Sequence, residues 1–194
     1  MGYSQKKKEL RKKPYKNSPF AGFHLLWVQK RPVISFVLGF IVLMVVFYVF
    51  WLSDFCQNKI LPQFLSVNTQ LSGFILNLFG QKTHASGDVL FSSSFSVRIA
   101  RGCDGLEAMA LFASTLLAFP ARWNYKLVGF FSGIAVLFIL NVVRIISLFL
   151  TGVYFPKVFE FMHVEVWQVL FILFAIGLWI FWVKWARKGE SHAA

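Results

Sequence analysis

The sequence predicts an all-α integral membrane protein with about four transmembrane helices, an amphipathic helix on its outer face and a short β-hairpin or strand. Three observations carry this prediction. Of 194 residues, 57% are hydrophobic and only 14% are charged, which leaves too little polar surface for a soluble domain of this size. Long apolar runs recur at 33–52, 127–150 and 164–183, with a shorter one at 104–119, and about twenty apolar residues suffice to cross a bilayer. The net charge of +12 is concentrated: Lys6, Lys7, Lys8, Arg11, Lys12, Lys13, Lys16, Lys30 and Arg31 all precede the first run. That placement is the cytoplasmic flank of a membrane anchor rather than a nucleic-acid-binding arm.

Residues 1–31 are therefore read as a basic cytoplasmic tail, with 1–20 expected to be disordered. The run 33–52 is longer than a signal-peptide core and ends in bulky Phe and Trp instead of the small residues of a cleavage site, so it is expected to stay as an anchor. Spans at 104–119, 127–150 and 164–183 follow in one transmembrane domain, 32–185, with a cytoplasmic tail at 186–194. This topology puts 53–103 and 151–163 outside and leaves both termini in the cytoplasm. It also puts 14 of the 20 Lys and Arg on the cytoplasmic side, as the positive-inside tendency expects.

Between the first two runs, Phe64, Val67, Leu71, Phe74, Ile75 and Leu78 recur at helical spacing with Gln63, Ser66, Gln70 and Asn77 between them. Residues 60–80 thus predict an amphipathic helix in the outer interface. A crossing there would invert every later span and spoil the charge balance. From Val89 to Ile99 apolar and polar residues alternate, the period of a strand or hairpin.

Cys56 and Cys103 form neither a Cys-x-x-Cys pair nor a disulfide framework. Cys103 lies in Arg101-Gly102-Cys103-Asp104-Gly105, at or just before a helix start. Unpaired N–H groups there and Arg101 nearby favour a thiolate, whereas Asp104 and Glu107 oppose it. A small cysteine in a helix cap is the plainer alternative. Arg144 interrupts an apolar span about 27 Å above Lys126 at ~1.5 Å per residue, near the outer interface. Such an arginine faces a polar cavity or partner, or snorkels to headgroups. Asn141, three residues earlier, shares its face and is placed to brace the guanidinium. His163 precedes the last span; an imidazole exchanges protons near neutral pH, and Glu160 is placed to orient its ring. An interfacial anchor beside Trp167 is the alternative there. Together the three residues put a nucleophile, a fixed cation and a proton carrier at one membrane depth, which is what acyl transfer requires.

With these residues in this order, the chain resembles the exosortase/archaeosortase family of membrane-embedded cysteine transpeptidases. The resemblance covers roughly residues 85–185 and rests on Cys103 in Cys-Asp-Gly-Leu, Arg144 in Asn-Val-Val-Arg and His163 ahead of the last span. Asp104 stands where many members have Ser or Thr, and the longer members' extra spans are missing, so the resemblance implies a short, core-only form. It further implies cleavage of C-terminal sorting signals of exported proteins, each a short motif, a hydrophobic helix and a basic tail. Cys103 would form the acyl-enzyme, His163 would protonate the leaving amine and activate the acceptor, and Arg144 would stabilise the oxyanion. The implied partners are those substrate proteins, membrane lipids and an acceptor molecule of unknown identity, with no cofactor and no nucleic acid. The implied location is the cell inner membrane, with the site on the outer face.

Two other functions fit the residues. A non-enzymatic partner in envelope or polysaccharide export would bind a lipid or glycan headgroup through Arg144 and His163. A small transporter subunit fits less well, with one intramembrane charge and no internal repeat.

Overall fold

The computed structural model describes residues 19–99 and 102–191, with side chains at 33–99, 102–189 and 191. The expected disorder at 1–20 falls outside these residues, except that Pro19 and Phe20 already belong to the first helix. That helix, α1, spans Pro19–Trp51; from Phe36 onward the chain forms one compact unit. Within α1, the stretch Val33–Trp51 is long and apolar enough to cross a membrane. None of its residues is buried, as fits a helix that is apolar on every side and solvated by lipid.

A π-turn, Cys56–Ile60, leads into α2, Leu61–Leu78. The helix is where the apolar period places it, but its faces are turned. Asn68, Thr69 and Ser72 are fully buried, whereas Val67, Leu71, Phe74 and Leu78 are exposed. In water this arrangement would be unstable. In hydrocarbon an outward apolar side chain loses nothing, while polar groups gain by finding partners inside. Thr69 Oγ1 donates to the Leu65 carbonyl and Asn68 Nδ2 to that of Phe64, both within the helix, whereas Ser72 Oγ is buried without a partner.

Strands β1 (His84–Ser86), β2 (Val89–Phe91) and β3 (Ser96–Arg98) follow as an antiparallel meander. The register pairs Ala85 with Leu90 and Leu90 with Val97. The hairpin over 89–99 matches the sequence period. β1 is additional, since His-Ala-Ser shows no alternation. Leu90 packs with Leu76, Ile99, Ile145 and Phe149 in one core cluster, which fastens the sheet to the helices.

The helix expected at 104–119 is shorter, Leu106–Ala118 (α3). Its thirteen residues rise about 20 Å, too little to cross roughly 30 Å of hydrocarbon unaided. Gly105 and Pro120 set its limits. Helix α4 runs Trp123–Tyr154, and a last helical stretch that starts at Pro156 passes through a π-turn at Met162–Val166 into α5, Trp167–Ser191. Among the described residues, three helices are therefore long and apolar enough to span, with α3 a shorter fourth. A second core cluster, with Phe112, Leu116, Leu137, Phe171 and Trp182, joins α3, α4 and α5.

Candidate active site

The site lies beside the first core cluster, whose Ile99 and Ile145 line it. Its first member comes from the tight segment Gly102-Cys103-Asp104-Gly105 between the sheet and α3. Gly102 and Gly105 have φ of +83° and +78°, the left-handed region that only glycine adopts cheaply. Gly105 is also closely packed, since a Cβ there would lie 3.1 Å from the Asn141 side chain and press on it. Asp104 is 1% exposed. Its Oδ1 accepts the N–H of Leu106, the first residue of α3, at 3.0 Å, and its Oδ2 is buried without a partner. Burial pushes this carboxyl above its usual range.

Cys103 is thus held just ahead of α3, half-buried and free of any disulfide. Its Sγ lies 2.9 Å from His163 Nε2, and Arg144 Nη2 donates to the same sulfur at 3.5 Å. The structure therefore brings together three residues that the sequence separates by 41 and 60 positions. Burial pushes the thiol above its usual range; the Arg144 guanidinium lowers it and the Asp104 carboxylate raises it further. Arg144 is 6% exposed and its Nε is buried with no partner. A cavity of about 20 Å³ adjoins the trio, lined by Val97, Arg98, Ile99, Ile145 and Leu148 as well. That is room for one water or one carbonyl oxygen.

The supporting residues behave differently from expectation. Asn141 does not brace Arg144: its Nδ2 donates to Asn68 Oδ1, 3.1 Å away on α2. Glu160 is exposed and makes no hydrogen bond with His163. The ring is instead stacked by Phe159, with centroids 5.8 Å apart and planes at 21°. Phe159 meets Phe95 edge-on, and Phe95 meets the fully buried Phe149, so an aromatic chain from the core orients the imidazole. Arg101 lies outside the described residues.

Asn68 and Phe159 escaped the sequence argument. Phe159 carried a signal, since it stands four residues before His163 and shares its face once the segment is helical. Asn68 carried none, because its partner is 73 residues away. Among the described residues no three His, Cys, Asp or Glu side chains gather as a metal-binding group.

Comparison with known families matches residues 18–183 to the family described as transmembrane exosortase. No curated protein and no solved structure matches the chain.

Proposed function

The chain belongs to the transmembrane exosortase family, and from that premise we propose that it is a membrane-embedded cysteine transpeptidase that cleaves C-terminal sorting signals of exported proteins. The observation that carries the proposal is the contact of Cys103 Sγ with both His163 Nε2 and Arg144 Nη2. His163 takes the thiol proton as Cys103 attacks the scissile carbonyl, so that a C–S bond forms and the carbonyl oxygen becomes an oxyanion. The buried, unpaired Arg144 Nε supports its role as donor to that oxygen, worth about 3–4 kcal/mol in comparable sites. As the C–N bond breaks, His163 returns the proton to the leaving amine, and the hydrophobic tail departs. The thioester is then opened by an outside acceptor, which His163 deprotonates, and Cys103 is regenerated. Under the positive-inside topology this chemistry takes place at the outer face of the inner membrane.

Burial raises the Cys103 thiol, and His163 Nε2 at 2.9 Å from the sulfur supports the scheme as the group that takes the proton during attack. The test is mass spectrometry of an exported protein whose C-terminus carries an apolar helix and a basic cluster. Co-expression with the parent chain is expected to give a shortened product with a C-terminal adduct or free carboxyl. An intact substrate would leave lipid- or glycan-headgroup binding by Arg144 and His163 as the better account.

A further inference from the structure

Helices α4 and α5 are clamped together at the end remote from Cys103. Trp182 Nε1 donates to the Tyr125 carbonyl at 2.9 Å. A Cβ on Gly129 would run into the Trp182 indole, and one on Gly189 into the Tyr125 ring. Between this clamp and the reacting residues an apolar cleft of about 430 Å³ opens along the pair, lined by Val136 and Leu140 of α4 and by Leu170, Phe174, Gly177 and Phe181 of α5.

Gly177 sets this cleft apart. Gly129, Gly133, Gly152 and Gly189 are each explained by an aromatic ring lying on them, whereas a Cβ at Gly177 would meet nothing within 4 Å. Glycine weakens a helix interior, and the chain's own packing does not need one here. In a membrane helix, a glycine facing an open groove lets a second helix bring its backbone close, an advantage that lipid chains do not require.

The cleft also points toward the site. At ~100° per residue, Leu140 and Val136 project about 40° and 80° from Arg144, on its side of α4. A second apolar cleft of about 330 Å³ lies between α2 and α4, but it draws on Ile139, Val142, Val143 and Ile146, which project about 100–160° away from Arg144. From His163 to Phe181 the chain rises about 27 Å, close to the thickness of the hydrocarbon layer.

We propose that the α4–α5 cleft seats the hydrophobic helix that follows the scissile bond, with that helix's backbone against Gly177. This inference rests on the acyl-transfer function proposed above and adds where the substrate is held. The binding energy of a remote segment then positions the scissile carbonyl at Cys103.

The test uses the full chain in membranes, with Cys103→Ala to keep the substrate uncleaved. The probe is an exported protein of the same genome that ends in an apolar helix and a basic cluster. A photo-crosslinking amino acid at Phe174 is expected to capture the probe, and one at Ile139 is not. Capture at Ile139 alone, or at neither position, overturns the inference; in the second case lipid alone fills the cleft. With Cys103 restored, Gly177→Leu is expected to lower kcat/KM about tenfold, chiefly through KM. Alkylation of Cys103 by a small thiol reagent should stay at the parental rate, which reports an intact site. Unchanged kcat/KM overturns the inference. If the parent shortens the probe while Phe174 captures nothing, only the docking inference fails. If the parent leaves the probe intact, the acyl-transfer function fails and the docking inference falls with it.

Discussion

Asn141 Nδ2 donates to Asn68 Oδ1 across 3.1 Å, and both side chains are fully buried. The bond joins α2 to α4 three residues before Arg144, and Gly105 of the Cys103 segment rests on the same Asn141. One amide thus links the helix that carries the guanidinium to the turn that carries the thiol. Asn68→Leu is expected to leave that amide unpaired and to cost about 1 kcal/mol, within the range of interhelical hydrogen bonds in membranes. It should lower kcat more than it raises KM, because the reacting groups lose their alignment while substrate contacts remain. Thermal unfolding in detergent together with steady-state kinetics checks both effects; a parental kcat would show that the pair has no bearing on the site.

Cys103→Ala removes a reactive atom and little packing volume, so the variant should accumulate in the membrane at parental abundance while substrates stay uncleaved. His163→Ala should also abolish processing, with partial recovery when a small external base such as imidazole is added. A blot of substrate size against enzyme abundance separates the outcomes, and normal processing by Cys103→Ala would remove the cysteine mechanism altogether.

Asp104 permits a prediction with a definite sign. Burial raises its carboxyl above the usual range in the folded chain, so the folded state holds that proton more tightly than the unfolded one. Stability therefore falls as pH rises through this interval and stays lower above it. Asp104→Asn keeps an oxygen for the Leu106 N–H but removes the desolvated charge. The variant should be more stable than the parent at neutral pH, and the difference should vanish in acid. Loss of the carboxylate also removes one of the influences raising the Cys103 thiol. Alkylation of Cys103 should then reach its half-maximal rate at lower pH than in the parent, since the thiolate is the reactive form. An upward displacement of that profile would contradict the assigned influence of Asp104.

What could be seen in the sequence followed the range of the forces involved. The runs at 33–52, 127–150 and 164–183 report a local requirement, apolar length, and the helices lie there, although α4 begins at Trp123 and the last helical stretch at Pro156. Arg144 stood out as a costly residue within an apolar span, and Cys103 and His163 as reactive groups at helix starts near its depth. Their partners did not stand out. Asn141 faces Asn68 through a contact between distant segments, and Phe159, four residues before His163, displaces Glu160, three before it, a choice between two helical neighbours that spacing alone does not make. The faces of α2 were equally hidden, because an apolar stripe does not say whether water or lipid lies outside it.

Arg144→Lys separates two accounts of this arginine, because it keeps the charge and removes the planar fork of donors. Arg144 is nearly buried, with Nη2 on the Cys103 sulfur and Nε lacking a partner. An arginine that merely attracts an anionic headgroup should be replaceable by lysine at a loss of less than a few fold. A guanidinium that presents one N–H to the sulfur and another to the developing oxyanion is a two-point device, and a single ammonium cannot occupy both points. Losing one oxyanion donor costs on the order of 100-fold in rate, so turnover of a purified substrate tail should fall by about that factor while protein abundance is unchanged. The measurement compares the variant and the parent at equal protein in detergent. Near-parental turnover would remove Arg144 from the reacting set and leave it as a membrane anchor.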